Sequence, residues 1–247
     1  MSSRDEILDN FQDHLLGIDD TFKFKCLECG KCCRNREDLL LNSRDLFNIA
    51  KKLGISMEQA LEQYCETYIG KDSKMPVVRL KPQGAGRVCP LHKKDGKCSV
   101  HDSKPTVCAL FPLGRVVAGE EISDGLQPNK PMQLMYILNP VSCGRRKHKN
   151  TVRSWLEKFN IPIDDEFYIL WGQLLVSLSI SVSEYEEQEV SDQIMELLWQ
   201  NIGAALYVAY DTKKDFMEQF IKNCTTIQGL FNTLKEQFPN GINPTKT

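Results

Sequence analysis

The stretch that decides how this chain folds is Cys26-Leu27-Glu28-Cys29-Gly30-Lys31-Cys32-Cys33, which places four thiols within eight positions. Packing alone does not account for such a density. A spacer of two residues lets successive sulfurs converge on one ion or cluster, and Gly30 supplies the tight turn between Cys29 and Cys32. The sequence therefore predicts that the chain holds metal through cysteine thiolates. Four further cysteines follow at intervals: Cys89, Cys98, Cys108 and Cys143.

The length, composition and charge of the chain are typical of a soluble globular protein. It has 247 residues, of which 41% are hydrophobic and 26% are charged, enough for one large domain or two small ones. Because the net charge is only −2, the chain has no global attraction to nucleic acid, and we expect no nucleic-acid partner. The N-terminus is polar and shows no apolar signal core, which predicts a cytoplasmic protein.

The predicted compartment decides how the cysteines are interpreted. Ten cysteines in a chain without an export signal are expected to be reduced, which favours metal sites over disulfides. The longest apolar stretch, residues 167–182, is shorter than a bilayer span and is interrupted by Gln173 and several serines. It predicts a buried helix, and we expect no membrane partner.

The sequence pattern divides the chain into two parts and predicts an α+β fold. Residues 1–148 are expected to form a cysteine-rich metal-binding domain of short strands and helices. Residues 149–247 show helical periodicity and are expected to form a helical domain packed on the first. Apolar spacing also predicts a helix over residues 5–16.

Start and stop signals place the elements of the first part. Helices are predicted to open at Ser43 and at Ser56. A hairpin is predicted over residues 88–100, with a two-residue turn that places Lys93 opposite Cys98. The predicted strands are Pro76–Leu80, Leu113–Ala118 and Gln133–Leu138.

The number of cysteines bears on the number of metal centres. Thiolate ligands come in fours, both at structural zinc sites and in [4Fe–4S] clusters, so eight suggest two centres or one centre with additional structural or redox thiols. Adjacent side chains diverge in almost any backbone conformation, so Cys32 and Cys33 are expected to serve different centres or to bridge two ions. The preferred division gives Cys26, Cys29 and Cys32 a distant fourth ligand. It gives Cys33 three of the four later cysteines.

The spacing of the cysteines also bears on the identity of the metal. The pattern C-x-x-C-x-x-C is that of ferredoxin-type clusters, which favours an iron–sulfur cluster of the [4Fe–4S] type. Ferredoxins continue with three residues and Cys-Pro, whereas here the next residue is already Cys33. Zinc sites more often use two C-x-x-C pairs, and the chain has no second pair elsewhere. The sequence favours iron–sulfur and leaves zinc open.

Several motifs follow one another in order along residues 22–150. They are Phe24-x-Cys26-x-x-Cys29-Gly30-x-Cys32-Cys33, Cys89-Pro90-Leu91, Cys98-x-Val100-His101, Lys104-Pro105-x-x-Cys108, Phe111-Pro112 and Cys143-Gly144. With these motifs the chain resembles the YkgJ-type cysteine-cluster (CxxCxxCC) family, which is described as zinc- or iron-chelating. The chain is also similar, more distantly, to the cysteine-cluster part of flagellin lysine N-methylase, which implies protein-lysine methylation supported by an iron–sulfur cluster. The family resemblance implies eight metal ligands: Cys26, Cys29, Cys32, Cys33, Cys89, Cys98, Cys108 and Cys143.

Other residues near the cysteines have more than one interpretation. His101 is a metal ligand, or else a turn residue or a hydrogen-bond donor to a sulfur. The basic run at 145–149 neutralises an anionic cluster, receives an acidic partner or phosphate, or is a solvated loop, which the sequence favours. Cys65 and Cys224 lie on apolar helical stripes, where cysteine packs as a small hydrophobe. Three histidines are predicted on the surface: His14, His92 and His148.

Two functions from different classes fit these observations. In the first, cysteine-ligated centres support redox or protein-modifying chemistry, and the helical part is a platform for an unknown protein partner or substrate. In the second, zinc staples a loop-rich, non-catalytic binding module and contributes directly to its folding. A protein that binds metal exchangeably fits less well, because sites with four thiolates release metal slowly. The sequence leaves open whether the protein is an enzyme, and it identifies no catalytic residue.

Overall fold

The computed structural model of the chain describes residues 15–36, 39–118, 133–141, 143–187 and 190–237. These residues form an α+β fold, as the sequence predicts, with short strands in the first part and long helices in the second. The strands are β1 (Leu15–Leu16), β2 (Thr21–Lys25), β3 (Leu40–Leu41), β4 (Cys65–Ile69), β5 (Pro76–Leu80), β6 (Leu113–Ala118), β7 (Gln133–Leu138) and β8 (Arg145–Thr151). The helices are α1 (Ser43–Leu53), α2 (Met57–Tyr64), α3 (Thr106–Leu110), α4 (Val152–Lys158), α5 (Glu166–Glu187), α6 (Asp192–Tyr207) and α7 (Phe216–Gln237).

The strands form three small antiparallel sheets. Their orders are β1-β7-β6, β2-β8 and β3-β5-β4. The three strands predicted from the sequence, β5, β6 and β7, have the predicted bounds. The predicted helix at 5–16 lies outside the described residues, except that Leu15 and Leu16 form β1 and pair with β7.

The first two helices begin where their local signals predict. Asn42 caps α1, and its side chain and that of Asp45 form a reciprocal capping box. The helix ends at Gly54, which adopts the left-handed conformation that glycine allows. Ser56 and Gln59 form the predicted capping box of α2.

Two stretches differ from their predicted structure. Cys65 does not continue α2 but opens β4, because its extended backbone pairs with Leu80 in an antiparallel ladder. The basic run at 145–149 is not a solvated loop but part of β8, since it pairs with β2. In both places a tertiary partner decides the backbone conformation that local sequence leaves open.

The hairpin around Gly96 forms, but its register differs from the prediction by one residue. Lys93 bonds to Lys97 and Cys98 pairs with His92, so the turn contains three residues and not two. Gly96 has a φ of +84°, which is the left-handed position that a three-residue hairpin loop requires.

Two hydrophobic cores hold the described residues together. The larger core packs α1, α2 and the β3-β5-β4 sheet against the long helices, and so contains side chains from both sides of residue 148. The division into 1–148 and 149–247 stays a prediction. The smaller core lies between the β2-β8 ribbon, β7 and α4, and its buried residues are Phe22, Phe24, Leu110, Leu113, Tyr136, Val152, Trp155 and Leu156.

A buried ion cluster links α1, β6 and the start of α5. Asp165 is 1% exposed and accepts hydrogen bonds from Arg44 at 2.8 and 2.6 Å and from Arg115 at 2.9 Å. Burial alone raises the pKa of the Asp165 carboxyl, but the bonds and charges of the two arginines outweigh it, so the pKa is lowered. The Arg115 guanidinium also lies 3.7 Å from the ring centroid of Tyr168.

Helix α5 contains the apolar stretch at 167–182 and is longer than that stretch. It has 22 residues and is long and apolar enough, by length and composition alone, to cross a membrane, so the argument from a short span was wrong. Core helices of water-soluble proteins pass the same test. Its Phe167, Trp171 and Leu178 side chains are buried in the larger core. Of the most apolar 18-residue segment of the helix, 22% is buried.

Candidate metal centre

The loop that carries the first four cysteines leaves a strand that is fixed by packing. Phe22 and Phe24 alternate with exposed side chains along β2 and are buried. The Phe24 ring packs edge-on against Phe111 and Trp155, with centroids 5.9 and 5.8 Å apart. Because β2 is held in this way, Cys26 leaves its end at a defined place.

The turn predicted at Gly30 is present. Gly30 has a φ of +68°, which favours glycine, and a Cβ there would lie 2.9 Å from His92 Nε2, so the imidazole would have to shift. A 3₁₀ turn, Lys31–Cys33, follows, in which the Cys33 amide donates to the Gly30 carbonyl at 3.1 Å. His92 is therefore partly buried against the loop, whereas the sequence placed it on the surface.

Backbone hydrogen bonds join the first cysteines to the later ones. The Cys89 amide donates to the Cys33 carbonyl at 2.8 Å, beside an antiparallel bridge between Arg34 and Val88. Cys98 lies on the adjoining hairpin. Cysteines that are more than fifty residues apart in sequence thus meet in one place.

Cys108 lies in α3, whose first turn is held by a buried carboxylate of α1. Asp45 Oδ1 accepts hydrogen bonds from the Thr106 amide at 2.7 Å and the Thr106 hydroxyl at 2.8 Å. Its Oδ2 accepts from the Asn42 amide at 3.4 Å. Burial raises the pKa of the Asp45 carboxyl, and the bonds from Thr106 and Asn42 oppose that shift. The carboxylate therefore ties α3, and Cys108 with it, to α1.

One cavity of about 80 Å³ collects most of the predicted ligands. Its volume is several times that needed for a single water molecule, which leaves room for an ion with further ligands. Cys29 and Cys143 are not part of its wall. The six cysteines that line it are Cys26, Cys32, Cys33, Cys89, Cys98 and Cys108.

Cys143 faces the N-terminal loop from another direction. Burial raises the pKa of its thiol, and negative charge on Cys29, Cys32 and Cys26 raises it further. These electrostatic effects indicate that Cys143 lies on the side of the loop that carries the first three cysteines. That Cys143 is their distant fourth ligand stays a prediction.

The residue after Cys143 explains how the chain reaches this position. Gly144 has a φ of +79° and packs directly on the Phe24 ring, where a Cβ would overlap Cε2 and lie 3.0 Å from the Lys25 carbonyl oxygen. The absence of a side chain at Gly144 lets the two segments touch, and this contact places Cys143 beside the loop.

The adjacent thiols Cys32 and Cys33 share a hydrogen bond. This bond lowers the pKa of Cys32 to about 6, against the opposing effect of burial, and raises the pKa of Cys33. Burial raises the pKa of Cys89 to about 11 and also raises the pKa of Cys108. A bound cation reverses such shifts, because thiolates that ligate a metal are deprotonated.

The division predicted from the sequence, with Cys143 as the fourth ligand of the first group, gives two groups of cysteines. Cys32 is coupled to both groups, because negative charge on its sulfur also raises the pKa values of Cys89 and Cys108. The outer cysteines are Cys26, Cys29, Cys32 and Cys143. The inner cysteines are Cys33, Cys89, Cys98 and Cys108.

The donor set fits a thiophilic metal. Thiolates suit zinc and iron–sulfur clusters, and two groups of four match the ligand number of either. In the part of the chain that the structure describes, no three His, Cys, Asp or Glu side chains already converge closely enough to hold an ion. The structure brings the thiols into neighbouring positions, and their assignment as ligands stays a prediction.

The two remaining cysteines pack as the sequence predicts. Cys65 is 7% exposed in the larger core, and Cys224 is partly buried against that core from α7. Burial raises the pKa of Cys65 to about 12 and raises the pKa of Cys224. None of the ten cysteines forms a disulfide in the described structure.

Two cations beside the thiols were missed in the sequence analysis. The positive charges of Lys104 and Arg36 lower the pKa of Cys32, and both residues line the cavity. Lys104 belongs to the Lys-Pro-x-x-Cys motif, so a sequence signal for it existed. The placement of Arg36 is tertiary and had none. His101 also lines the cavity but is exposed to solvent.

Comparison with known proteins agrees with this site. Residues 25–143 match the CxxCxxCC family, whose description is a putative zinc- or iron-chelating domain. The matched segment contains all eight cysteines. An uncharacterized protein of Methanocaldococcus jannaschii is 30% identical over 102 residues, which are 41% of this chain and 49% of that protein. The chain thus spans about half the length of this curated relative. No solved structure matches the chain at a significant level.

Proposed function

We propose that this protein holds two cysteine-ligated centres. The proposal starts from residues 25–143, which match the CxxCxxCC family of zinc- or iron-chelating domains. The outer cysteines would ligate one centre and the inner cysteines the other. The observation that carries the proposal is the shared cavity, in which six thiols from separate segments of the chain form one wall. Packing does not require six partly or fully exposed thiols in one place.

We favour [4Fe–4S] clusters as the occupants. The ferredoxin-type spacing of Cys26, Cys29 and Cys32 supports iron. The cations Lys104 and Arg36 suit any centre made of four thiolates, because such a centre is anionic whether it contains iron or zinc. The spacing, and not the electrostatics, therefore supports the choice of metal.

The two centres differ in their access to solvent. Cys26 and Cys29 are exposed, whereas Cys32, Cys143 and all four inner cysteines are partly buried. An exposed centre suits electron transfer or chemistry on a partner, and a buried one suits a structural role. We therefore assign redox or protein-modifying chemistry to the outer centre and stabilisation of the fold to the inner one.

Protein-lysine methylation is the narrowest form of this proposal. It rests on the resemblance of the cysteine cluster to that of flagellin lysine N-methylase. Transfer of label from a radioactive methyl donor to lysines of an acceptor protein would support it. Absence of labelling by protein whose clusters are intact would restrict the outer centre to redox chemistry.

A second function, a zinc-stapled binding module, is favoured by one feature of the fold. Between β5 and α3 the described residues form only turns, isolated bridges and a three-residue 3₁₀ helix, yet this stretch carries Cys89 and Cys98. A segment with so few backbone hydrogen bonds gains most from a metal that fixes it. This observation supports the inner centre as structural zinc.

We place the protein in the cytoplasm, because ten unpaired thiols are stable in a reducing compartment. Its partner or substrate is proposed to be another protein, without a role for nucleic acid or membrane.

Anaerobic purification with analysis of iron, acid-labile sulfide and zinc tests the proposal. We expect iron and sulfide in equal amounts. We also expect a visible absorption that dithionite bleaches, and an electron paramagnetic resonance signal that appears in the reduced protein. Colourless protein with stoichiometric zinc and no sulfide would contradict the iron–sulfur clusters and support the zinc-stapled binding module. Protein that binds neither metal would contradict both.

A further inference from the structure

The β2-β8 ribbon presents a basic surface next to the outer cysteines. Phe22 and Phe24 face inward from β2, so the lysines between and after them face solvent. The strand β8 adds further exposed cations from the run at 145–149. We call this surface the basic ribbon, and its exposed cations are Lys23, Lys25, Arg145, Lys147 and Lys149.

The cations of the basic ribbon stand opposite one another. Lys23 pairs across the strands with Lys149, and Lys25 pairs with Arg145. Like charges at directly opposed positions destabilise a sheet. Within the described residues none of these side chains has an acidic partner. The exposed carboxylate at the start of the ribbon, Asp19, is already paired with Arg153 at 2.8 Å. The folding of the described chain gives no reason for this arrangement.

The segment that contains the basic ribbon, residues 21–151, is much more basic than the chain as a whole. Residues 21–151 contain 23 Lys and Arg against 13 Asp and Glu, although the complete chain has a net charge of −2. The excess of positive charge thus coincides with the segment that carries the metal ligands. A surface field of this sign attracts and orients acidic partners at short range.

The basic ribbon ends at the outer cysteines. Lys25 is followed directly by Cys26, and Arg145 comes two residues after Cys143. The register of the ribbon shifts between Lys23 and Lys25, where a step of two residues along β2 corresponds to four residues along β8. Beside the cations, Leu27 is 46% exposed between the first two cysteines. A bound partner would therefore contact the loop of the outer centre.

We infer that the basic ribbon is a docking surface for the acidic face of a partner protein, which it holds against the outer centre. The role of that contact rests on the proposed function, but the contact itself does not. An exposed leucine beside a charged rim is the composition of a transient protein interface. Single-stranded nucleic acid is recognised by stacking on aromatic rings, and the described aromatic rings of β2 face inward. These observations favour a protein over a nucleic acid.

Binding of a defined acidic peptide tests the inference with the full, metal-loaded protein. The probe is a fluorescent peptide rich in Glu and Asp with one Leu, followed by fluorescence anisotropy at low and at physiological ionic strength. An oligonucleotide of equal charge and phosphatidylserine vesicles are measured in parallel. We expect the peptide to bind more tightly than either, and salt to weaken its binding. Tighter binding of the oligonucleotide or of the vesicles would overturn the assignment to a protein.

Matched double variants locate the contact. Lys23→Gln with Lys149→Gln removes one opposed pair from the ribbon, and Lys213→Gln with Lys222→Gln removes two exposed lysines from the helical part. The ribbon variant should bind the peptide about fivefold more weakly, and the helical variant should bind like the wild type. Equal binding by all three proteins would overturn the inference.

Two further measurements on the same variants show whether weaker peptide binding comes from the lost charges or from a loss of folding or metal. The ribbon variant should unfold at the same or a higher denaturant concentration than the wild type, because a repulsive pair is gone. Metal content should be unchanged. Metal-loaded protein that does not bind the peptide contradicts the docking surface alone. Metal-free protein that binds the peptide contradicts the proposed function alone.

Discussion

Gly144→Ala should destabilise this protein far more than a glycine substitution with the same backbone geometry elsewhere. A Cβ at position 144 would overlap the Phe24 ring and lie 3.0 Å from the Lys25 carbonyl oxygen. The ring has little room to yield, because Phe24 is 2% exposed and is held between Phe111 and Trp155. The clash must therefore move the backbone that places Cys143.

The size of the effect follows from two contributions. An alanine at positive φ costs about 1 kcal/mol through backbone strain. Forcing extra volume into a packed core costs about 1–3 kcal/mol more. Gly54→Ala is the matched control, since Gly54 has a φ of +68° but no atom within 4 Å of its added Cβ. We expect a loss of about 1 kcal/mol for Gly54→Ala and about 2–4 kcal/mol for Gly144→Ala.

Denaturant unfolding of the two variants and the wild type, each purified with its metal, measures these losses. Metal analysis should also show less metal in Gly144→Ala than in Gly54→Ala, because Cys143 is displaced only in the former. Equal losses of stability in the two variants would show that Gly144 and Phe24 do not approach as described. Full metal content in a destabilised Gly144→Ala would separate the packing contact from the outer centre.

Three further predictions concern the thiols and two buried carboxylates. Cys29→Ser should lower metal content, whereas Cys65→Ala should keep it and cost about 1–2 kcal/mol; undiminished metal in Cys29→Ser would remove that residue from the ligands. Asp45→Ala removes three hydrogen bonds and should cost about 2–4 kcal/mol in denaturant unfolding, so a loss near zero would contradict its role in holding α3. Asp165→Asn should cost about 3 kcal/mol near neutral pH, because it leaves two arginines without their shared anion. Since the folded pKa of Asp165 is depressed, its contribution is complete above its ordinary pKa of 3.8 and is lost as pH falls through the folded value. The stability gap between wild type and Asp165→Asn should therefore narrow only in acid, and a gap that narrows towards alkaline pH would contradict the assignment.

Local signals predicted the parts of the fold that depend on neighbouring residues. The capping boxes at Asn42 and Ser56 are sets of contacts within four residues, so the sequence alone places α1 and α2. The expectation that the side chains of Cys32 and Cys33 diverge was wrong, because their thiols share a hydrogen bond and both line the same cavity. The division of the eight cysteines between two centres stays a prediction.

Tertiary contacts decided the parts that were predicted wrongly. Cys65 has the periodicity of a helix, but pairing with β5 begins at this residue and removes it from α2. The loop of the hairpin at Gly96 contains one residue more than its turn sequence indicates, since Lys93 bonds to Lys97. The apolar stretch at 167–182 is shorter than the helix that contains it, since α5 runs from Glu166 to Glu187.

The basic run at 145–149 was predicted as a solvated loop, although it forms a strand in which cations lie opposite one another. The run is a strand because β2 buries Phe22 and Phe24 and so offers β8 a fixed edge. The favourable burial of the two rings outweighs the repulsion of the exposed cations, which is weakened by solvent. Because burial of the two rings outweighs repulsion between the cations, the ribbon keeps charges that have no acidic partner within the described residues.

The two groups of cysteines are coupled to the rest of the protein in different ways. Three inner cysteines, Cys89, Cys98 and Cys108, pack against the larger core, which also contains side chains of the long helices. Metal bound there would stabilise that core, so its binding free energy would contribute to the folding of both parts of the chain. The outer cysteines rest on the smaller core through Phe24 and Gly144 and extend into solvent. Under the proposed function, a centre held by the outer cysteines would be open to an electron donor or a partner, while metal at the inner cysteines would keep the fold intact.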